Sequence, residues 1–214
     1  GNLTFHQTTT ANAPYNLGDY GSGGNYGSIW IDYDNDRDLD MFIAKCGGET
    51  ARRTNQMHTN DGKYEENNTI ISYTENAAEI GLADSMQTWS SAWGDFDSDG
   101  YLDIIISGVS NSGLTTKLYK NNKGQSFSEV TFQTLEPIGA SGCSWGDYDN
   151  DGDLDLVITG SSSSGLNRKT HIYTNTENTF TQTASLLGVY LGDSKWGDYD
   201  NDGDLDLLVC GITN

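Results

Sequence analysis

The sequence is poor in positive charge, in proline and in long apolar runs. Of its 214 residues only 11 are Lys or Arg, against 31 Asp and Glu, which leaves a formal charge of −20. A field of that sign repels nucleic acid and anionic membranes and draws cations, so neither a nucleic-acid partner nor membrane insertion is expected. The longest apolar stretches, such as Ile104-Ile105-Ile106, are far too short to cross a bilayer. No helix-period segment of useful length is present. The chain starts at Gly1 rather than Met, which is expected of a processed or excised piece. Its three cysteines, Cys46, Cys143 and Cys210, are odd in number and match no zinc or redox spacing. Cys143 and Cys210 sit inside apolar strand patterns and are expected to be structural thiols. There is no Gly-rich phosphate loop, no Ser nucleophile elbow and no His-based metalloprotease motif.

What is abundant is Gly, with 26 residues, and aromatic surface, with 5 Trp, 12 Tyr and 6 Phe. The aromatics supply a core that a merely acidic, disordered chain would lack. The glycines, with much Asn, Ser and Thr, read as turns between many strands.

One segment recurs four times. Trp30-Ile-Asp-Tyr-Asp-Asn-Asp-Arg-Asp-Leu-Asp40 aligns with the segments that open at Trp93, Trp145 and Trp196. Their first aspartates, Asp32, Asp95, Asp147 and Asp198, are spaced by 63, 52 and 51 residues. A period near 50 residues matches one four-stranded propeller blade. Each unit divides accordingly. A first strand ends at the Trp, as in Gln87–Trp93. A second follows the acidic loop, as in Asp103–Gly108, Asp155–Gly160 and Asp206–Gly211. A third covers Lys117–Asn121 or His171–Asn175, and a fourth Ser126–Val130 or Asn178–Gln182. The first unit is longer. Gln56–Asn60 and Lys63–Glu66 are expected to fill its last two strand places, with one helical turn between Glu75 and Leu82.

The loop itself, Asp-x-Asp-x-Asp-x-x-x-Asp, points to a hard cation. From Asp147 to Asp155 five carboxylates fall within nine residues. Two like charges 4 Å apart repel by about 4 kcal/mol at an effective dielectric near 20, so a compact loop needs a cation or raised pKa values. Side chains at places 1, 3 and 5 converge in a tight turn, Gly at place 6 permits a positive φ, place 7 offers its carbonyl, and Asp at place 9 closes the shell. An all-oxygen set without Cys or His favours Ca²⁺. An EF-hand would end in Glu at place 12. Here that place is Ile43, Ile106, Ile158 or Val209, inside the next strand, so the ion would join two strands of a hairpin.

These residues resemble the FG-GAP/VCBS repeat family, which includes the calcium-binding blades of integrin α-chain propellers. The resemblance rests on Trp-Gly-Asp-Tyr-Asp-Asn-Asp-Gly-Asp-Leu-Asp-Leu followed by Leu-Tyr-x-Asn and a Phe-bearing strand. It implies an all-β propeller, usually seven-bladed, with calcium between the first two strands of each blade. About 3.75 blades are expected: the end of a preceding blade and a linker over 1–27, blades over 28–84, 85–135 and 136–187, and the start of another over 188–214. The opening Asn2–His6 matches a fourth strand. Carried over, the ligands are Asp95, Asp97, Asp99, Tyr101 through its carbonyl, and Asp103. The equivalent sets are Asp147, Asp149, Asp151, Asp153 and Asp155, then Asp198, Asp200, Asp202, Asp204 and Asp206. The first copy, Asp32, Asp34, Asp36, Asp38 and Asp40, departs from the pattern, because Arg37 holds the Gly place. That copy is expected to bind weakest of about four calcium ions per chain.

The function expected is an extracellular or cell-surface binding or adhesion module for a protein or glycan, with calcium as its staple. A carbohydrate-active lyase or hydrolase on the same scaffold and a structural spacer of a large surface protein are the alternatives. The open ends of a partial ring are expected to be covered by further blades of a longer chain or by a second copy. Tyr20, Tyr26, Trp89 and Tyr190 are able to stack on sugars, though packing between blades is the plainer reading. His6, His58 and His171 read as surface strand residues. Asn2-Leu-Thr4 and Asn67-Asn-Thr69 match the N-glycosylation pattern.

Overall fold

The computed structural model describes residues 24–60, 62, 73–131, 135–163 and 166–213. The proposed strands Asn2–His6 and Lys63–Glu66, both sequons, His6 and Tyr20 lie outside the described residues.

The protein is all-β, built from antiparallel sheets in chain order. β1 (Gly24–Ile31), β2 (Asp40–Cys46), β3 (Gln56–Asn60) and β4 (Tyr73–Glu75) form the first sheet, each strand beside the next. β5 (Gln87–Gly94), β6 (Asp103–Ser110), β7 (Gly113–Asn121) and β8 (Phe127–Glu129) form the second. β9 (Gly139–Gly146), β10 (Asp155–Ser163), β11 (Leu166–Thr176), β12 (Thr179–Gly197) and β13 (Asp206–Ile212) form the third. β12 serves two units. Its first part pairs with β11 from Thr179 to Val189, and its second pairs with β13 from Tyr190 to Gly197. The outermost described strand of the first sheet is Tyr73–Glu75, which pairs with β3. It lies further along the chain than Lys63–Glu66, because an insertion separates it from β3. Single helical turns occur at α1 (Thr50–Arg53) and α2 (Ala77–Ile80).

Successive sheets stack face to face. β6 shows why its run of three isoleucines is needed. Residues alternate faces along a strand, so Ile104 and Ile106 pack toward the first sheet with Phe42, Ala44 and Met57. Ile105 packs toward the third, with Cys143, Leu156 and Ile158. A strand buried on both faces reads as continuous apolar sequence. Each such isoleucine contributes about 1.5–3 kcal/mol of burial. The innermost strands follow one another around the molecule: β1 packs on β5, β5 on β9 and β9 on β12.

A second device fixes the spacing of the sheets. The indole of Trp145 lies over Gly94 and donates Nε1–H to the Ala92 carbonyl at 3.2 Å. Trp196 repeats this over Gly146, donating to the Ser144 carbonyl at 3.3 Å. A Cβ on Gly146 would stand 2.6 Å from Trp196 Cδ1, so only glycine lets the ring this close. In the first unit the equivalent of that glycine is Ile31. There Trp93 packs edge-on against Phe42 and Phe127, and its buried Nε1 finds no hydrogen-bond partner.

The two outer faces are apolar and exposed. Leu208 holds the place of the fully buried Ile105 but is 70% exposed, and Tyr199 is 80% exposed. Trp30, on the first sheet, is 50% exposed. Cys210 is exposed for the same reason, contrary to its apolar sequence context, whereas Cys143 is buried between sheets and its thiol is pushed up to about 12 by desolvation.

Gly146→Ala should therefore destabilise the fold by about 1–3 kcal/mol through overpacking against Trp196. Gly197→Ala, where an added Cβ meets nothing within 4 Å, should be nearly neutral. Urea denaturation of the two variants checks the difference.

Candidate metal centres

Each acidic loop joins the first strand of a unit to the second, at one end of the sheet. All four loops take the same path. Place 4 (Asn35, Ser98, Asn150, Asn201) has φ between 57° and 62°, and place 6 (Arg37, Gly100, Gly152, Gly203) between 76° and 97°. Arg37 thus adopts the turn that its glycine counterparts adopt, at a strain of about 1–2 kcal/mol.

Backbone amides hold the carboxylates in place. Asp32, Asp95, Asp147 and Asp198 each accept N–H groups from places 5 and 6 at 2.8–3.2 Å. Place 5 accepts from place 7 at 2.9–3.1 Å. These bonds turn the acids of the loop inward. In the first two loops Asp32, Asp34 and Asp36, and Asp95, Asp97 and Asp99, bring carboxylate oxygens within 4.8 Å of one another. In the others the groups are Asp147, Asp149 and Asp155, and Asp198, Asp200 and Asp206. The side chains of Asp38, Asp153 and Asp204, like Tyr101, lie outside these clusters, and place 7 would contribute only through its carbonyl. Asp151 and Asp202 hold the turn through place 7. Asp40 and Asp103 stand outside the closest groups of their own loops.

The place-9 aspartate has a second task that its spacing did not reveal. Asp103 accepts the Phe96 amide at 3.1 Å and the Asn121 amide at 2.7 Å. Asp40 does the same with Tyr33 and Asn60, and Asp155 with Tyr148 and Asn175. This carboxylate ties the loop to the third strand. The asparagine then reaches across to the preceding sheet: Asn121 Nδ2 donates to the Tyr33 carbonyl and Asn175 Nδ2 to the Phe96 carbonyl, both at 2.8 Å. The loops also touch one another, since Asn35 Nδ2 donates to the Gly100 carbonyl at 2.8 Å and Asn150 Nδ2 to Asp204 at 3.0 Å.

Burial raises the carboxyls of Asp40 and Asp103 to about 7 and that of Asp155 to about 6, with neighbouring aspartates adding to the rise and the amide bonds opposing it. Desolvation, then Asp36, also raises Asp34. The residues present fit a divalent cation. They form an all-oxygen, preorganised set whose crowding a metal would relieve. One oxygen, Asp97 Oδ1, is buried with no hydrogen-bond partner.

The family model for the FG-GAP-like repeat matches residues 32–106 and 106–158, more than half of the sequence. The chain belongs to the FG-GAP-like repeat family. No curated protein matches it. Among solved structures it is similar to a lectin from Agrocybe aegerita that specifically recognises non-reducing terminal N-acetylglucosamine, at 15% identity and a TM-score of 0.55. The match covers 87% of this chain but 47% of that one, so the FG-GAP chain spans about half the lectin's length. The likeness supports the propeller-like fold.

Two further groupings bring together residues that the sequence named singly but did not place. Tyr26, Trp89 and Tyr190, from three different units, line one cavity of about 370 Å³ together with Gln87, Ser141 and Leu191. His58 and His171 are buried, not surface residues. His171 Nε2 bonds Glu136 at 2.8 Å, its Nδ1 lies 2.9 Å from Ser185 Oγ, and Gln182 donates to both Nδ1 and that hydroxyl. His171 and Ser185 are direct cross-strand partners, so this network pins the outer strand to the sheet.

Two outcomes follow for the metal-free protein. A carboxyl whose folded pKa is raised above the unfolded value near 3.9 holds its proton more tightly when folded. Stability should then fall as pH rises from about 4 to 7, through the folded values of Asp155, Asp40 and Asp103. Urea titrations in EDTA across that range check the sign. Arg37→Gly should stabilise the fold by about 1 kcal/mol by removing the strain at φ 76°. It should change metal affinity little, because the strained turn is already formed before binding.

Proposed function

We propose that this FG-GAP chain is a calcium-stapled, extracellular or cell-surface binding module whose ligand is a glycan. The four acidic loops would each hold one Ca²⁺. The observation that carries the ligand reading is the convergence of Tyr26, Trp89 and Tyr190 on one cavity beside the polar groups of Gln87 and Ser141. Aromatic faces stack on the apolar faces of sugar rings, and nearby amides and hydroxyls select among them. The lectin likeness supports the platform, since that protein is itself a sugar binder. Millimolar extracellular calcium suits sites of modest affinity on a surface loop. The exposed Leu208, Tyr199 and Trp30 fit further blades on either side, of the kind that complete a larger ring of about seven.

No catalysis is proposed. The Ser185 hydroxyl and His171 imidazole share their hydrogen bonds with the Gln182 amide, which leaves the imidazole lone pair already engaged.

Elemental analysis should find four calcium ions per chain. At free calcium tenfold above Kd, each would add about 1.4 kcal/mol to stability, so EDTA should lower the melting temperature. A melt indifferent to EDTA together with no bound calcium would refute the metal reading. On a glycan array, Trp89→Ala should lose at least about tenfold in affinity for any sugar the wild type retains, given that hot-spot aromatics carry over 1 kcal/mol. Unchanged binding would refute the placement of the site.

A further inference from the structure

The second acidic loop differs from the others in what faces it. Lys120 Nζ lies against Asp97 and is 3.0 Å from Asp99 Oδ2, seated on two of the three clustered carboxylates. Asp97 is 93% buried by its side chain, with 7% exposed, and its Oδ1 has no hydrogen-bond partner. Lys120 immediately precedes the third-strand asparagine. At that place the first and third units carry Thr59 and Thr174. Those threonines bond the phenol at place 2 of their own loops, Tyr33 at 3.0 Å and Tyr148 at 2.8 Å. In the second unit place 2 is Phe96, which has no hydroxyl, and the lysine turns into the acid cluster instead. Two positions have thus changed together between repeats.

We infer that Lys120 is a built-in counter-ion that occupies the second loop when calcium is absent and must leave before a divalent cation enters. This rests on the calcium reading of the loops and adds its regulation. The consequence is an ordering of sites. The ammonium–carboxylate contacts of Lys120 exist only in the metal-free state, so binding forfeits them. The backbone strain at Arg37 exists in both states and cancels. The loop at Asp95–Asp103, not the one at Asp32–Asp40, is therefore the last to fill. Its single ammonium also offsets part of the loop's four carboxylate charges when calcium is withdrawn. Release is sterically simple, because the lysine side chain is already 35% exposed and its long stem can swing into solvent.

Calcium titration of the intact chain by calorimetry tests this. The wild type should show one site weaker than the other three. Lys120→Thr should tighten that site by about tenfold to hundredfold, the equivalent of one charge-assisted hydrogen bond no longer lost on binding. The pair Phe96→Tyr with Lys120→Thr, which rebuilds the phenol–threonine bond of the other units, should tighten it equally and guards against a folding defect in the single variant. Asp95→Asn in the Lys120→Thr background should remove the tightened site alone. In EDTA, Lys120→Thr should melt below the wild type. If neither variant tightens any site while calcium still binds the other loops, the inference falls and the calcium reading stands. If no loop binds calcium in any of the proteins, both fall.

Discussion

The interaction on which the rest depends is the capture of backbone amides by crowded aspartates. In each loop the place-1 carboxylate takes two N–H groups, and in the first three the place-9 carboxylate clamps the loop to the third strand. Those bonds gather like charges that would otherwise repel. The gathered oxygens make a candidate cation site, and the clamp carries the loop's geometry onward. Through Asn121 and Asn175 it reaches the carbonyl at place 2 of the preceding sheet, so a local turn becomes part of the contact between blades.

Packing supplies the other half of that contact. The Trp over Gly fit at Gly94 and Gly146 and the two-faced isoleucine strand let the inner sheet bury both sides against its neighbours. Repeat proteins of this kind are stabilised by neighbour-to-neighbour terms, and here the acidic loops and the indole sockets act on the same interfaces. A cation bound at one loop would therefore stiffen the platform on which the aromatic cavity is assembled from three units.

The repeat was legible because its chemistry is local. Acidic spacing, the glycine at place 6 and the continuous apolar run after place 9 all act within about a dozen residues, and they mark both the hairpins and the candidate ligands. Less local features escaped. Among the described residues the outermost strand of the first sheet is Tyr73–Glu75, a segment with no strong strand pattern of its own. Cys210 and Leu208 sit in core-like strand patterns yet are exposed, because burial depends on a neighbour rather than on the pattern. His171 meets Glu136 across 35 residues, and neither carries a spacing signal.

The sequence by itself determined the four loops, the strand alternation and the all-β blade, since each follows from short-range sterics and electrostatics. Only the tertiary structure decided that the place-9 aspartate is a clamp, that Lys120 sits on its own loop's acids, and that Tyr26, Trp89 and Tyr190 share a cavity. Those contacts join residues brought together by strand pairing and sheet stacking, and the free energy that selects them belongs to the packed array rather than to any one segment.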